Sequence, residues 1–417
     1  MCDILFYRME GIRYMKKPIL VVLIVLLVVS VCLGGFGFYY SNKDKEAEAS
    51  KKIVECTFDG EVVDGAEYVN GQYTYTFIEN VYAYISDSID YNDKLAQKKM
   101  NADLSNVERG WSVELTDKEN TNPVTSRLCG TVNNLPIIST RRMFSYAAAE
   151  QIDLSGFDTS KVIDMSEMFD GLKISNLDLS GFDTSNVIDT SYMFGEANIN
   201  SLNLAGLDMN KVIDMSSMFR DANINNLNLT DLKTNNAETM RAMFLNATIK
   251  SISGLESLNT SNVKNMEAMF AYFNTETIDL SGFDTSNVED MNTMFAYSSA
   301  SEIKGLNNFN TSNVKDMRGM FEYSNVNELD LSSFNLSNIK TIVCDEDEEV
   351  KIDDTYVNYY CLTSEYGDIL YGEYDVFGTS SMFDGAVATT GYARTKEDAS
   401  ILNKSENIPS TLKFVVK

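Results

Sequence analysis

The sequence predicts an α/β solenoid, a stack of short parallel strands in which each strand is followed by a turn and a short helix. Three observations predict it. The dipeptide Met-Phe recurs at Met143, Met168, Met193, Met218, Met243, Met269, Met294 and Met320, at intervals of 25, 25, 25, 25, 26, 25 and 26 residues, and a ninth copy at Met382 follows after 62. Alternating triplets such as Leu177-Asp178-Leu179 stand at fixed spacing before most copies and read as short strands. In the run from Asp164 to Phe169, Met165, Met168 and Phe169 stand at i, i+3 and i+4 behind a capping residue, one buried stripe of a helix. A period of this length means that each unit buries its apolar face only by stacking on its neighbours.

One copy, LDLSGFDTSNVIDTSYMFGEANINS, runs from Leu177 to Ser201. Equivalent strands are Ile152-Asp153-Leu154, Leu202-Asn203-Leu204, Leu227-Asn228-Leu229, Ile278-Asp279-Leu280 and Leu329-Asp330-Leu331. A large apolar residue follows (Phe157, Phe182, Leu207, Leu232, Leu258, Phe283, Phe309, Phe334), then a Thr-Ser-Asn turn and a valine such as Val162 or Val187. The residue before the helical stripe is Ser139, Asp164, Asp189, Asp214, Thr239, Asn265, Asp290, Asp316 or Gly378. All are N-cap types, whose side-chain oxygen or small size suits a first helical turn.

The pattern L-x-L-S-x-F-D-T-S-x-V-x-x-M-x-x-M-F-x-x-A, carried by residues 140–339 and by the copy at Met382, resembles the BspA-like leucine-rich-repeat bacterial surface proteins. These include the related repeat common in mycoplasma and lactobacillus lipoproteins. The resemblance implies a leucine-rich-repeat-like solenoid on a bacterial surface, linked to adhesion or aggregation, and it implies no catalytic residue. Two departures stand out. The family's frequent cysteine after M-F-x-x is here Ala147, Ala197, Ala222 and Ala247, or Ser298 and Ser324. A carboxy-terminal wall-sorting signal is absent, so attachment is expected from the amino-terminal segment.

That segment supports a membrane address. Residues 18–40 contain an uncharged apolar run, Ile19 to Tyr40, preceded by Arg8, Arg13, Lys16 and Lys17. Twenty-two residues at about 1.5 Å rise span about 33 Å, enough for a bilayer core, and the basic flank keeps residues 1–17 cytoplasmic. The expected state is a single-pass cell-membrane protein with its carboxy-terminal part extracellular. A signal cleaved after a start at Met15, giving a secreted chain, and lipidation at Cys32 are the alternatives.

Beyond a linker at 41–52, residues 53–139 are rich in Tyr, Val and Thr and read as a β-rich cap with Trp111 in its core. The solenoid of about eight 25-residue repeats occupies 140–339. An acidic insertion at 340–376, with Asp345-Glu346-Asp347-Glu348-Glu349, is expected to form a protruding hairpin. Residues 377–417 hold the last repeat and a cap with a helix start at Thr395-Lys396-Glu397-Asp398 and a strand at Leu412–Val416. Four cysteines in the exterior part allow three pairings, of which Cys56–Cys129 and Cys344–Cys361 each bracket one non-repetitive segment.

Composition narrows the chemistry. The 417 residues include no histidine, and 34 basic against 61 acidic residues give a net charge of −27. Without histidine the usual base near neutral pH is missing, which excludes serine–histidine hydrolases, histidine–zinc enzymes and histidine phosphotransfer. The acidic balance excludes nucleic acid as a partner. No cysteine pair has metal-site spacing, so neither a metal nor a cofactor is expected.

Three constellations remain. The strand centres Asp153, Asp178, Asn203, Asn228, Ser253, Asp279, Lys304 and Asp330 should form an outward column at about 4.8 Å per rung. Asp153, Asp178, Asn203, Asn228, Asp279 and Asp330 are its candidate binding residues, suited to Ca²⁺ or a cationic partner, or else the solvated side of a sheet. Carboxylates about 5 Å apart also match a retaining glycosidase, but repeated rungs give no asymmetric pocket. Of twenty methionines, fifteen occupy the two repeat positions, where adaptable core filling competes with Cu(I) ligation. Tyr272, Tyr297 and Tyr323, with Tyr146 alike, are candidate interface tyrosines, either an exposed row or edge packing between rungs.

The expectation is a cell-surface protein, not an enzyme, that binds a host or bacterial surface protein or glycan and mediates adhesion to host or neighbouring cells. A self-associating structural envelope protein is the alternative, and a carboxylate-dependent glycan-acting enzyme is third.

Overall fold

The computed structural model describes residues 66–70, 73–80, 110–124, 129–132, 134–337, 341–343, 375–377, 381–405 and 407–417. The segment expected to cross the membrane, together with Cys56, Cys344 and Cys361, lies outside them. Among the described residues no helix is long and apolar enough to cross a membrane.

Alternating Tyr, Val and Thr build a five-stranded sheet at the amino-terminal end. Its strands are β1 (Ala66–Asn70), β2 (Tyr73–Asn80), β3 (Gly110–Leu115), β4 (Thr131–Val132) and β5 (Leu135–Ser139), in the order β1-β2-β3-β5-β4. Trp111 is buried, meets Phe77 edge to face at 6.0 Å between centroids, and donates from Nε1 to the Val132 carbonyl at 2.8 Å. It is a core residue with its polar edge satisfied. The sheet leads into the first rung, where the Leu115 N–H donates to the Met143 carbonyl and Ser139 bridges Asp164.

The repeats form a β-solenoid of about ten turns with little helix. Strands β6 (Lys173–Asp178), β7 (Asn198–Asn203), β8 (Asn223–Asn228) and β9 (Thr248–Ser253) pair in parallel with unbroken register of equivalent residues. The short strands β10 (Thr277–Asp279) and β11 (Glu302–Lys304) pair alike, and β12 (Glu328–Leu331) follows. Parallel stacking is what the repeat predicts. At the Asp/Asn-Thr-Ser corner, where the main chain turns out of strand geometry, a buried threonine bridges the rungs. Thr159, Thr184, Thr260 and Thr285 each donate their hydroxyl to a carbonyl one rung on, at 2.8–3.1 Å.

The core is a column of phenylalanines. The nine Met-Phe phenylalanines, from Phe144 to Phe321 and then Phe383, are fully buried, and adjacent rings lie 5.2–6.0 Å apart, within 11° of parallel. Burying one such ring is worth about 1.5–3 kcal/mol, and each ring pair about 0.5–1.5 kcal/mol more.

The predicted short helices do not form. Each segment from cap residue to Met-Phe folds instead as three overlapping β-turns. In the first rung Met143, Ser145 and Ala147 donate to the carbonyls three residues back, at Thr140, Arg142 and Phe144. The intervening N–H groups of Thr140, Arg142, Phe144 and Tyr146 point the other way and donate to the next rung, at Asp164, Ser166, Met168 and Asp170. Sending alternate N–H groups along the stack requires left-handed backbone twice per rung, before the methionine and two residues after it's phenylalanine. Glu167 (φ 57°) and Gly171 (φ 64°), Tyr192 (55°) and Glu196 (50°), and Ala268 (54°) and Tyr272 (54°) are such pairs. The apolar stripe at i, i+3 and i+4 is buried as expected, but by a turn that shares the helix's spacing.

The two longer intervals have a local cause. In the 26-residue copies, the extra residue is taken up by a 3₁₀ turn after the strand, Leu255–Ser257 and Leu306–Asn308. The 62-residue interval hides an ordinary rung: the Phe321 N–H donates to the Met382 carbonyl at 2.8 Å, and Tyr323 to Asp384 at 2.6 Å. Between these rungs, β13 (Thr341–Val343) and β14 (Asp375–Phe377) pair antiparallel at the base of the acidic insertion. Strands β15 (Thr390–Ala393) and β16 (Lys413–Val416) add in parallel to β12. Between them Thr395 caps the helix α1 (Lys396–Leu402), accepting from the Asp398 N–H at 3.0 Å.

The residues read as helix caps keep a related role. Asp164, Asp189, Asp214, Asn265, Asp290 and Asp316 each accept the N–H two residues on, at 2.8–2.9 Å, closing an Asx turn. Ser139 and Thr239 do the same with their hydroxyls, and Gly378 lies outside the described residues. This column runs up the inside of the stack. Burial, with Asp189 adding repulsion, raises the Asp164 carboxyl above its usual range against bonds from Ser166. Burial pushes Asp290 up to about 7, helped by Asp316 and Glu267 and opposed by the Asn292 N–H and Arg318.

Two stability predictions follow from these turns. Thr293 is β-branched at φ 51°, and Gly319 holds the same position one rung later. Thr293→Gly should raise the thermal midpoint by about 1–4 °C; in a helix it would cost about 1 kcal/mol and lower it. Asp290→Asn keeps the turn's acceptor and removes the charge, as Asn265 does in the rung before. A carboxyl raised to about 7 in the fold stabilises it in the protonated form, and that contribution is lost as pH rises through 7. Melting curves should therefore coincide near pH 4 and favour the variant by several degrees at pH 8.

Candidate binding surface

The parallel sheets bury one side, and the column expected at strand centres lies on the outward side, where its members in β6–β11 are the last residues of their strands. Asp153, Asp178, Asn203 and the non-acidic members Ser253 and Lys304 are exposed, while Asn228, Asp279 and Asp330 are half-buried. Asp178, Asn203, Asn228 and Ser253 are in register across β6–β9, as are Asp279 and Lys304 across β10 and β11. The sheets thus bring the predicted residues together in two groups.

Their side chains are already engaged. Asp153, Asp178, Asn203, Asn228, Asp279 and Asp330 accept the N–H two residues on, at 2.9–3.2 Å, and so close the strand end. The Ser180 N–H and hydroxyl hold the Asp178 carboxyl below its usual range. The Ser281 hydroxyl, then its N–H, do the same for Asp279 against partial burial, and Lys304 adds to the effect. Burial would raise Asp330, but Lys417 at 2.6 Å and Ser332 outweigh it. Asp178, Asp279 and Asp330 are therefore held ionised, and each carboxylate of the column serves its own turn. Among the described residues no group of three or more Cys, Asp or Glu side chains could hold a metal ion.

The tyrosines do form an exposed row. Tyr272, Tyr297 and Tyr323 are 50%, 40% and 49% exposed. Their rings are also packed on one another, at 4.6 and 5.0 Å between centroids and 2° and 18° from parallel. The faces pack between rungs and the edges meet solvent. Each tyrosine sits at the second left-handed position of its rung, which turns the side chain out of the stack (φ 54°, 57° and 47°). A residue two past a helical core position would also face outward, so the row was predictable even with the wrong backbone. Tyr297 Oη bonds the Glu322 carboxylate at 3.2 Å. At the far end the Tyr323 ring covers Gly385, where a Cβ would come within 2.3 Å of it. Tyr146 lies over Gly171 in the same way and reaches Glu196 two rungs away, at 2.8 Å.

Of the cysteines, Cys129 is disulfide-bonded. The methionines of the repeat, such as Met165, Met168, Met193 and Met218, are fully buried beside the phenylalanine column as core filling.

Sequence reasoning missed one feature, the other outward columns of β6–β9. The pattern x-Ile-x-x-Leu-x in Lys173–Asp178, Asn198–Asn203 and Asn223–Asn228 buries the second and fifth residues and leaves the rest exposed or half-buried, most of them asparagine. The signal was the run NINSLN and NINNLN at one repeat's separation.

The repeats, residues 138–253 and 248–346, match the family described as Mycoplasma protein of unknown function, DUF285. No curated protein and no solved structure matches the chain. The matched residues make up half of the sequence and fall on the solenoid rungs, so the chain belongs to the DUF285 family, a bacterial repeat family of unknown function.

Proposed function

We propose that this protein is a cell-surface repeat protein, of the BspA-like leucine-rich-repeat kind, whose solenoid binds another macromolecule and acts as an adhesin toward host or neighbouring cells. The apolar segment 18–40 anchors it in the membrane with the repeats outside. One observation carries the reading, the row Tyr272, Tyr297 and Tyr323, exposed yet held in place by mutual stacking. Tyrosine is favoured where proteins bind, because it brings contact area and a polar edge at small conformational cost. Stacking lowers that cost further by fixing the rings before a partner arrives. Binding rather than catalysis suits the strand-centre carboxylates too, since they are occupied in their own turns.

Beads coated with the full-length chain should be retained on host cells or on bacterial cells. Tyr272→Ser, Tyr297→Ser and Tyr323→Ser together should reduce retention at least tenfold, with the thermal midpoint kept within a few degrees. Beads held by neither cell type, with concentration-dependent self-association in sedimentation, would replace the adhesin with a self-associating envelope protein.

A further inference from the structure

We propose that the outer face of β6–β9 binds a neutral polysaccharide. This names a ligand class for the binding reading above and rests on that reading. Among the outward side chains of these strands eight are asparagines, six of them apart from Asn203 and Asn228 at the strand-end turns, and the charged ones are Lys173 and Lys250 against Asp178. The two middle strands, β7 and β8, carry no charge at all. A chain of net charge −27 thus keeps one sheet face near neutral.

The chemistry of that face is specific. An amide both donates and accepts hydrogen bonds, as does a sugar hydroxyl, whereas a carboxylate only accepts. Parallel register places like amides side by side on β7 and β8, as at Asn198 and Asn223, about 4.8 Å apart. Asn225 donates to the Asn200 carbonyl oxygen at 2.6 Å, which fixes the direction of both amides before anything binds. Anionic polymers would meet the repulsion of the remaining surface.

Size selects the occupant. Six residues at about 3.3 Å by four strands at about 4.8 Å make a face of about 400 Å². That is half the roughly 800 Å² each partner buries in a stable protein interface, so the face is too small to hold a second copy. An extended polysaccharide needs only a strip of it. Contacts of this kind, exchanged against water, are weak singly, and a repeating polymer strengthens them by presenting many copies.

The test is affinity electrophoresis of the full-length chain in detergent, through gels containing laminarin, mannan or dextran, with hyaluronan as the anionic probe. At least one neutral polymer should retard the chain in proportion to its concentration, and hyaluronan should not. Asn198→Ser, Asn200→Ser, Asn223→Ser and Asn225→Ser together should weaken retardation at least tenfold. Hydroxyl side chains already stand on this face at Ser201, Thr248 and Ser251, so the variant should keep its fold, as its melting curve would show. No retardation by any of the three polymers, retardation by hyaluronan alone, or equal retardation of the variant overturns the proposal. Beads that still hold to cells while the gels show nothing would sink this inference and leave the binding reading standing. Failure of both assays would sink both.

Discussion

Everything in the repeats depends on main-chain N–H groups of one rung reaching carbonyls of the next. In a strand this comes with the geometry. At the Met-Phe turn it does not, and there the chain uses left-handed residues to send alternate N–H groups along the stack. A non-glycine residue in that conformation costs about 1–2 kcal/mol, and few of these positions are glycine. Each hydrogen bond returns about 0.5–1.5 kcal/mol, and the phenylalanine column adds burial and ring stacking at the same turn. The turn is stable because the next rung is there, which is why the unit has to be repeated.

The same dependence explains what could be read beforehand. The period, the parallel strands and the inward Ile and Leu columns are consequences of stacking, and they are written as spacing. The helix was misread because Met165, Met168 and Phe169 occupy helical spacing, and because Asp164 serves an Asx turn with the same side-chain oxygen that would cap a helix. What separates the two is the backbone of Glu167 and Gly171, and glutamate at that place gives no warning of a left-handed conformation. Tyrosine, alanine and threonine at the equivalent positions give none either. Tertiary hydrogen bonds decided the conformation there, and single-residue preferences could not reveal it.

The acidic composition is likewise distributed by the turns. Aspartate or asparagine closes the strand end, the corner and the start of the Met-Phe segment, as Asp178, Asp183 and Asp189 do within one rung. Turns of this kind hold thirteen aspartates of the repeats without any partner. Inside the stack the cost is visible, since like residues recur at every rung and like charges then stand above one another. The inner column is broken by Thr239 and Asn265 between its aspartates, and Arg318 neutralises Asp316 at 2.6 Å. These substitutions keep the hydrogen bond and leave out the charge.

Function must then be sought in the columns that the turns do not consume. The acidic strand-centre column is the first that a reading of the sequence selects, yet its oxygens are committed to Ser155, Ser180, Ser281 and their equivalents. A ligand there would compete with the scaffold for the same atoms. The tyrosine row and the amides of Asn198, Asn200, Asn223 and Asn225 are different. Their backbone positions are set by the stack, and their outward edges close no turn. A repeat protein gains a surface wherever the side chain of a rung is structurally idle, and in this chain the idle positions hold tyrosine and asparagine.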